Sequence, residues 1–114
     1  MSKEFFKVAD DLYKIGLTYS GKKREFYFRS AVSRAYYGTL WFIRDYYSLK
    51  GTDLHGMARA VLAKKDIKLK EMLDMLGRIR NYADYYEKIP VDFDAKSVKF
   101  YIEIGKSITL RLKK

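Results

Sequence analysis

The stretch from Phe26 to Tyr47, FYFRSAVSRAYYGTLWFIRDYY, constrains the fold most, because its apolar residues cover most of a helical cylinder instead of forming one stripe. Ala31, Ala35, Gly38 and Phe42 fall on one line, and Val32, Tyr36, Ile43 and Tyr47 on a neighbouring one. A helix apolar nearly all round is a central, buried one. A membrane span shares that pattern, but Arg29, Arg34, Arg44 and Asp45 interrupt the run well short of the roughly 20 apolar residues a bilayer requires. The stretch therefore reads as the core helix of a bundle that does not enter a membrane. Its small residues let a second helix approach closely, and its aromatic rings supply most of the buried area.

The chain has the length of one domain, residues 1–114, with enough apolar content for a single core. Lys and Arg outnumber Asp and Glu by 24 to 14, a net charge of +10. Such a balance favours polyanionic partners by long-range attraction and counterion release, although Lys-rich surfaces also serve solubility. With no cysteine, disulfides, cysteine zinc sites and thiol nucleophiles are excluded, and a single histidine, His55, leaves little for a metal site. No metal and no cofactor is expected. The N-terminus MSKEFFKVADD is charged and has no apolar signal core, so a cytoplasmic protein is expected.

Taken in order, Ser2 to Tyr19 reads as an amphipathic helix on Phe5, Ala9, Leu12, Gly16 and Tyr19, ended by Ser20 and Gly21. Lys22, Lys23 and Arg24 read as a solvated turn into the central helix. The loop SLKGTDLHG follows, with Asp53 as cap of a short helix through Met57, Val61 and Leu62. A longer helix runs from about Lys68 to Glu87, with Met72, Leu76, Ile79, Ala83 and Tyr86 as its seam, and Pro90 stops it. Asp92 or Asp94 caps a last helix whose inner face is Val98, Ile102, Gly105, Ile108 and Leu112. No segment alternates with strand period. The fold class is all-α, an antiparallel up-and-down four-helix bundle with one additional short helix.

The fourth helix carries an unusual polar side, with Gly77, Asn81 and Asp84 on one line and Arg80 beside it. Arg80 and Asp84 have the spacing of a surface ion pair worth about 0.3 kcal/mol, and on that account Gly77 is only a packing gap. A glycine in mid-helix, however, costs about 1 kcal/mol relative to alanine and suggests close approach of another helix or chain. The central helix offers a matching polar group in Ser30, Arg34 and Tyr37.

The run SRAYYGTLWFIRDYY from Ser33 to Tyr47, the loop with His55-Gly56, and RNYADYY from Arg80 to Tyr86 together resemble the HEPN domain family of prokaryotic helical proteins, over nearly the whole chain. The resemblance implies a helical bundle that forms a homodimer and is often encoded beside a minimal nucleotidyltransferase, its partner in a two-gene module of toxin–antitoxin type. Many members of the wider superfamily are metal-independent endoribonucleases. Their site is an arginine, an adjacent polar residue and a histidine four to six residues on. Carried over, these are Arg80 and Asn81, with Tyr85 where the histidine would stand. Some toxins of the superfamily are silenced by nucleotide transfer onto a tyrosine two places past that histidine; here Glu87 stands there, and Tyr86 is a shifted candidate.

Cleaving RNA without a metal needs a base for the 2′-hydroxyl, an acid for the leaving oxygen and a cation for the developing charge. Arg80 suits the last role, since a guanidinium stays charged and grips phosphate with two parallel bonds. Tyr85, with a reference pKa near 10, is a poor base at neutral pH. His55 reaches the site only if the fold brings the short helix to it. Three readings follow. The first is a regulatory module binding nucleotide or RNA through Arg34, Tyr37, Arg80 and Asp84 and dimerising through Gly77, Asn81 and Asp84. The others are a weak endoribonuclease using Arg80, Asn81 and Tyr85, and a purely structural bundle. Most of the tyrosines occupy seam positions, so only exposed ones such as Tyr27 or Tyr85 are free to stack on a base.

Overall fold

Helix α2, Gly21–Tyr47, is the element against which α1 (Ser2–Leu17), α3 (Leu54–Lys65), α4 (Ile67–Tyr85) and α5 (Ala95–Lys113) all pack. The computed structural model describes residues 2–87 and 93–113. Among the described residues there is no strand, and no helix is long and apolar enough to cross a membrane. Ala31, Val32, Ala35, Tyr36, Gly38, Leu40 and Ile43 of α2 are all buried, as a helix apolar through most of its circumference requires. No close backbone approach joins α1 to α4, so one strip of α2 between them stays uncovered.

The small residues of α2 act as the sequence implies. A Cβ on Gly38 would meet the Phe5 and Phe6 side chains of α1 at 3.1 and 3.2 Å. On the other side α5 comes closest at Gly105, where a Cβ would lie 2.6 Å from Thr39 Oγ1 and 3.2 Å from the Ala35 carbonyl oxygen. Thr39 is fully buried and donates to that same carbonyl at 2.9 Å, so the polar group in the core is satisfied within its own helix. All five residues expected on the inner face of α5 are buried.

Several boundaries differ from the expectation. Lys22, Lys23 and Arg24 are the first turn of α2, not a solvated turn. The Arg24 guanidinium donates to the Gly16 and Leu17 carbonyl oxygens at 3.2 and 3.0 Å, satisfying the open end of α1, and Lys23 lies over the Tyr19 ring. Tyr19 itself falls beyond α1 and stacks on Tyr27. The buried seam of α4 is Leu69, Leu73, Leu76, Ile79 and Ala83; Met72, one residue off that line, is half-buried, and Tyr86 is exposed because the helix ends at Tyr85, short of the expected Glu87. Asp53 caps α3 by accepting from the Gly56 N–H at 3.0 Å, and Asp94 caps α5 by accepting from the Ser97 N–H at 2.8 Å. Pro90 and Asp92 lie outside the described residues.

Arg29 has a role the pattern did not reveal. Its side chain, held by Glu25 at 2.8 Å, reaches the end of α4 and donates to the carbonyl oxygens of Tyr82 at 3.1 Å, Tyr86, and Glu87 at 3.2 Å. Tyr82 lies in the last turn of α4 and Tyr86 and Glu87 follow it, so this cation sits where it complements the helix dipole.

The close approach at Gly105 makes a prediction. Ala is normally the better helix former, yet Gly105→Ala should lower the unfolding free energy by about 1–3 kcal/mol, because its methyl group has to push α5 off α2. Urea denaturation measures this; a stabilised variant would mean that the two helices are further apart.

Candidate functional site

Ser33, Tyr36 and Tyr37 lie on the side of α2 that faces α4, Ser33 one helical turn before the other two, and Tyr36 forms part of the wall of a cavity. The cavity holds about 450 Å³ and is lined by Tyr36, His55, Arg59, Leu73, Asp74, Gly77, Arg78, Arg80 and Asn81. That volume is within the roughly 300–1,000 Å³ of small-ligand sites. It thus joins residues of α2, α3 and α4.

Arg80 is its most constrained member. Its side chain is only 11% exposed, and its guanidinium carbon lies 4.9, 5.5 and 5.7 Å from the ring centres of Tyr37, Tyr85 and Tyr36. It donates through Nη2 to the Tyr37 hydroxyl and through Nη1 to Asn81 Oδ1 at 2.7 Å. Asp84 Oδ2 is 3.1 Å from Nε, but off the N–H direction, so the pair is ionic and the buried Nε makes no hydrogen bond. A guanidinium carries five N–H groups, so two hydrogen bonds leave donor capacity for an anion. Ser33 donates to the same Asp84 oxygen at 3.2 Å.

The mid-helix glycine is accounted for within the chain. A Cβ on Gly77 would meet the Tyr36 ring at 3.3 Å, so its absence lets that ring lie against α4. Tyr36 Oη is in turn 2.7 Å from His55 Nδ1, with the two rings stacked. Burial, partly offset by Arg80, pushes the Tyr36 hydroxyl up to about 12, so it is a proton donor at neutral pH. His55 Nδ1 is the acceptor that hydroxyl has, which assigns the ring proton of the neutral imidazole to Nε2. Burial and the Arg80 charge hold His55 below its ordinary value, against an opposing pull from Asp53.

Arg59 and Lys70 both bind Asp74, at 2.6 and 2.7 Å. Burial would raise the Asp74 carboxyl, but the hydrogen bonds from Lys70 and Arg59 hold it below the ordinary value. Arg78 has no carboxylate partner among the described residues and lines the cavity. Among the described residues no group of three His, Cys, Asp or Glu side chains converges as a metal site would.

The structure therefore brings together Arg80, Asn81, Gly77, Tyr37 and Asp84, and adds His55, Tyr36 and Arg59. Arg34 is elsewhere. One residue along a helix is a turn of about 100°, so Ser33 faces α4 while Arg34 faces α1, beside Glu4, Phe5 and Val8. Tyr85 is 70% exposed and does not line the cavity, although Arg80 lies over its ring. An all-helical bundle with a preset arginine in a cationic cavity is the class that fold and site define. No family model, curated protein or solved structure matches this chain.

A pH prediction follows from the lone histidine. Its pKa is lower in the folded chain than in the unfolded one, so protonation favours unfolding. The stabilising contribution is fully present above the unfolded value of about 6.5 and is lost as the pH falls below it and through the lower folded value. The unfolding midpoint of the wild type should therefore fall more steeply from about pH 7.5 to about 5 than that of His55→Gln. Parallel slopes would mean that burial and the Arg80 charge do not keep His55 neutral.

Proposed function

We propose that the chain is a HEPN-type up-and-down bundle acting in the cytoplasm as a dimeric nucleotide- or RNA-binding regulatory module. Its protein partner is a minimal nucleotidyltransferase in a pair of toxin–antitoxin type. The observation that carries the binding reading is Arg80: a guanidinium almost removed from water, fixed by three rings, with donors left over on the wall of a cationic cavity. A cation already fixed loses little side-chain freedom when it takes a phosphate, and low local dielectric strengthens the contact. Tyr37 and Asp84 hold it in place, and Arg78 adds charge at the cavity wall.

The dimer is assigned to the uncovered strip of α2 between α1 and α4. Val8 and Ile15 are 42% and 41% exposed on the α1 side, Arg34 and Glu4 line a depression there, and Asn81 and Asp84 lie toward the other edge. A second copy fits this strip because it carries both signs of charge, which a two-fold axis sets opposite one another. A weak endoribonuclease is the second reading, favoured by one observation: an imidazole, His55, lines the same cavity as Arg80 although Tyr85 holds the motif position.

Fluorescence anisotropy with a labelled RNA oligonucleotide tests the binding reading. Arg80→Ala should weaken binding at least tenfold, about 1.4 kcal/mol, and wild-type affinity should drop steeply with salt. Unchanged affinity in the variant would remove the cavity from the account. For the dimer, Val8→Asp should give a monomer in sedimentation with its helical circular dichroism intact; a surviving dimer puts the interface elsewhere.

A further inference from the structure

Away from the Arg80 cavity, a second one gathers charge of a single sign. It holds about 380 Å³ between α1, α2 and α5 and shares no lining residue with the first. Its floor is the Phe6 ring of α1, seated between α2 and α5: a Cβ on Gly38 or on Gly105 would lie 3.2 Å from that ring, so two glycines make the room it occupies. Lys3 and Lys7 stand one turn apart on the α1 wall, and Lys106 and Lys113 two turns apart on the α5 wall. Four ammonium groups therefore border one groove, and Asp10 is the only carboxylate in its lining.

Solubility does not ask for this arrangement, since charges spread over a surface repel one another less than charges turned toward one groove. Part of the repulsion is relieved within the chain. Lys106 binds Asp10 at 2.8 Å and lies 3.8 Å from Glu103, and Lys7 binds Asp11 at 3.0 Å. Lys3 and Lys113 have no carboxylate partner among the described residues, and the Lys113 ammonium lies 5.4 Å from the centre of the Phe42 ring. The lining holds no Arg, Asn or Gln, so no planar group there reads a base edge or grips one phosphate with two parallel bonds. An ammonium is a point charge that donates to an anionic oxygen from any direction. What such a groove selects is the spacing of charge along a ligand. Its length is about 12 Å, the rise of α1 from Ser2 to Asp10. An extended acidic peptide laid there turns every second side chain away, and successive phosphodiesters of a nucleic acid are separated by a whole sugar. A phosphoanhydride chain carries a negative charge on every phosphorus, one bridging oxygen apart, and so brings the most charge into that length.

We propose that the groove between α1 and α5 is a binding site for a phosphoanhydride chain, held by Lys3, Lys7, Lys106 and Lys113. It is separate from the Arg80 cavity and from whatever that cavity binds. Lys3 and Lys113 supply the charge that nothing in the chain neutralises, while Lys106, positioned by Asp10, and Lys7, positioned by Asp11, meet the same ligand from opposite walls.

Titration calorimetry with inorganic tripolyphosphate at fixed ionic strength tests this. Wild type should bind it, and at least tenfold more tightly than orthophosphate. Arg80→Ala should bind it equally well, whereas the double variant Lys3→Gln with Lys113→Gln should lose at least tenfold, its helical circular dichroism unchanged because both side chains are exposed. ATP and a long inorganic polyphosphate separate the two sources of such a chain. ATP as tight as tripolyphosphate assigns the groove to the phosphate end of a nucleotide; weaker ATP, with long polyphosphate at least as tight, assigns it to the free polymer. Absence of binding by wild type, equal affinity for orthophosphate, undiminished affinity in the lysine variant, or binding lost in Arg80→Ala overturns the groove as the site. Displacement of tripolyphosphate by RNA at equal phosphate concentration overturns its selection of charge spacing.

Discussion

Helix α2 is apolar through most of its circumference, so it has to be desolvated on several sides at once, and the other four helices are arranged to do this. Each side has its own means. α1 lays Phe5 and Phe6 over Gly38, α5 comes within contact distance of the α2 backbone at Gly105, and α4 sets Leu73, Leu76 and Ile79 into the core. Arg29 then ties the carbonyl end of α4 to α2 through hydrogen bonds that would otherwise go to water. The position of α4 along α2 is thereby held from the core and from its end, and Arg80 is one turn from that end.

The site follows from the same packing. Tyr36 is counted among the buried core residues and also forms the cavity wall, so the core and the site share a side chain. Ser33 and Tyr37, on the same side of α2, reach Asp84 and Arg80. An arginine held by a hydroxyl, an amide oxygen and three aromatic rings differs from a lysine in that its planar fork keeps a fixed direction and its charge does not titrate away on burial. This is why the polar line on α4 is more than the surface ion pair that its spacing allows.

Much of this was legible in the sequence. The inner face of α5, the cap at Asp53, Asp94 as one of two candidates for the cap of α5, and the burial of α2 on most of its sides follow from spacing and cap chemistry alone. The basic segment Lys22–Arg24 misled because a cation run resembles a solvated turn, whereas Arg24 serves the last carbonyls of α1, a partner that spacing does not reveal. In the site, Arg80, Asn81 and Gly77 could be picked out because one helix presents them together. His55 could be named only on condition that the fold brings α3 to the site, since α3 packs on α4 through Ala58, Leu62 and Leu73 in the core and not by any local pattern. Arg34 shows the limit at single-residue scale: the choice between it and Ser33 depends on the rotation of α2, which only the packed structure fixes.

Gly77 joins these points. In an exposed helix it would be a defect of about 1 kcal/mol, and an alanine there would be the better helix former. Here an added Cβ would press on the Tyr36 ring at 3.3 Å, and the hydroxyl of that ring is placed against His55 by the same contact. The ring cannot retreat freely, because its other side is packed into the core of α2, α3 and α4. A change at Gly77 therefore acts on the imidazole of a different helix through a tyrosine of a third. Helix propensity is given up at one position so that a core aromatic can serve as a wall of the cavity.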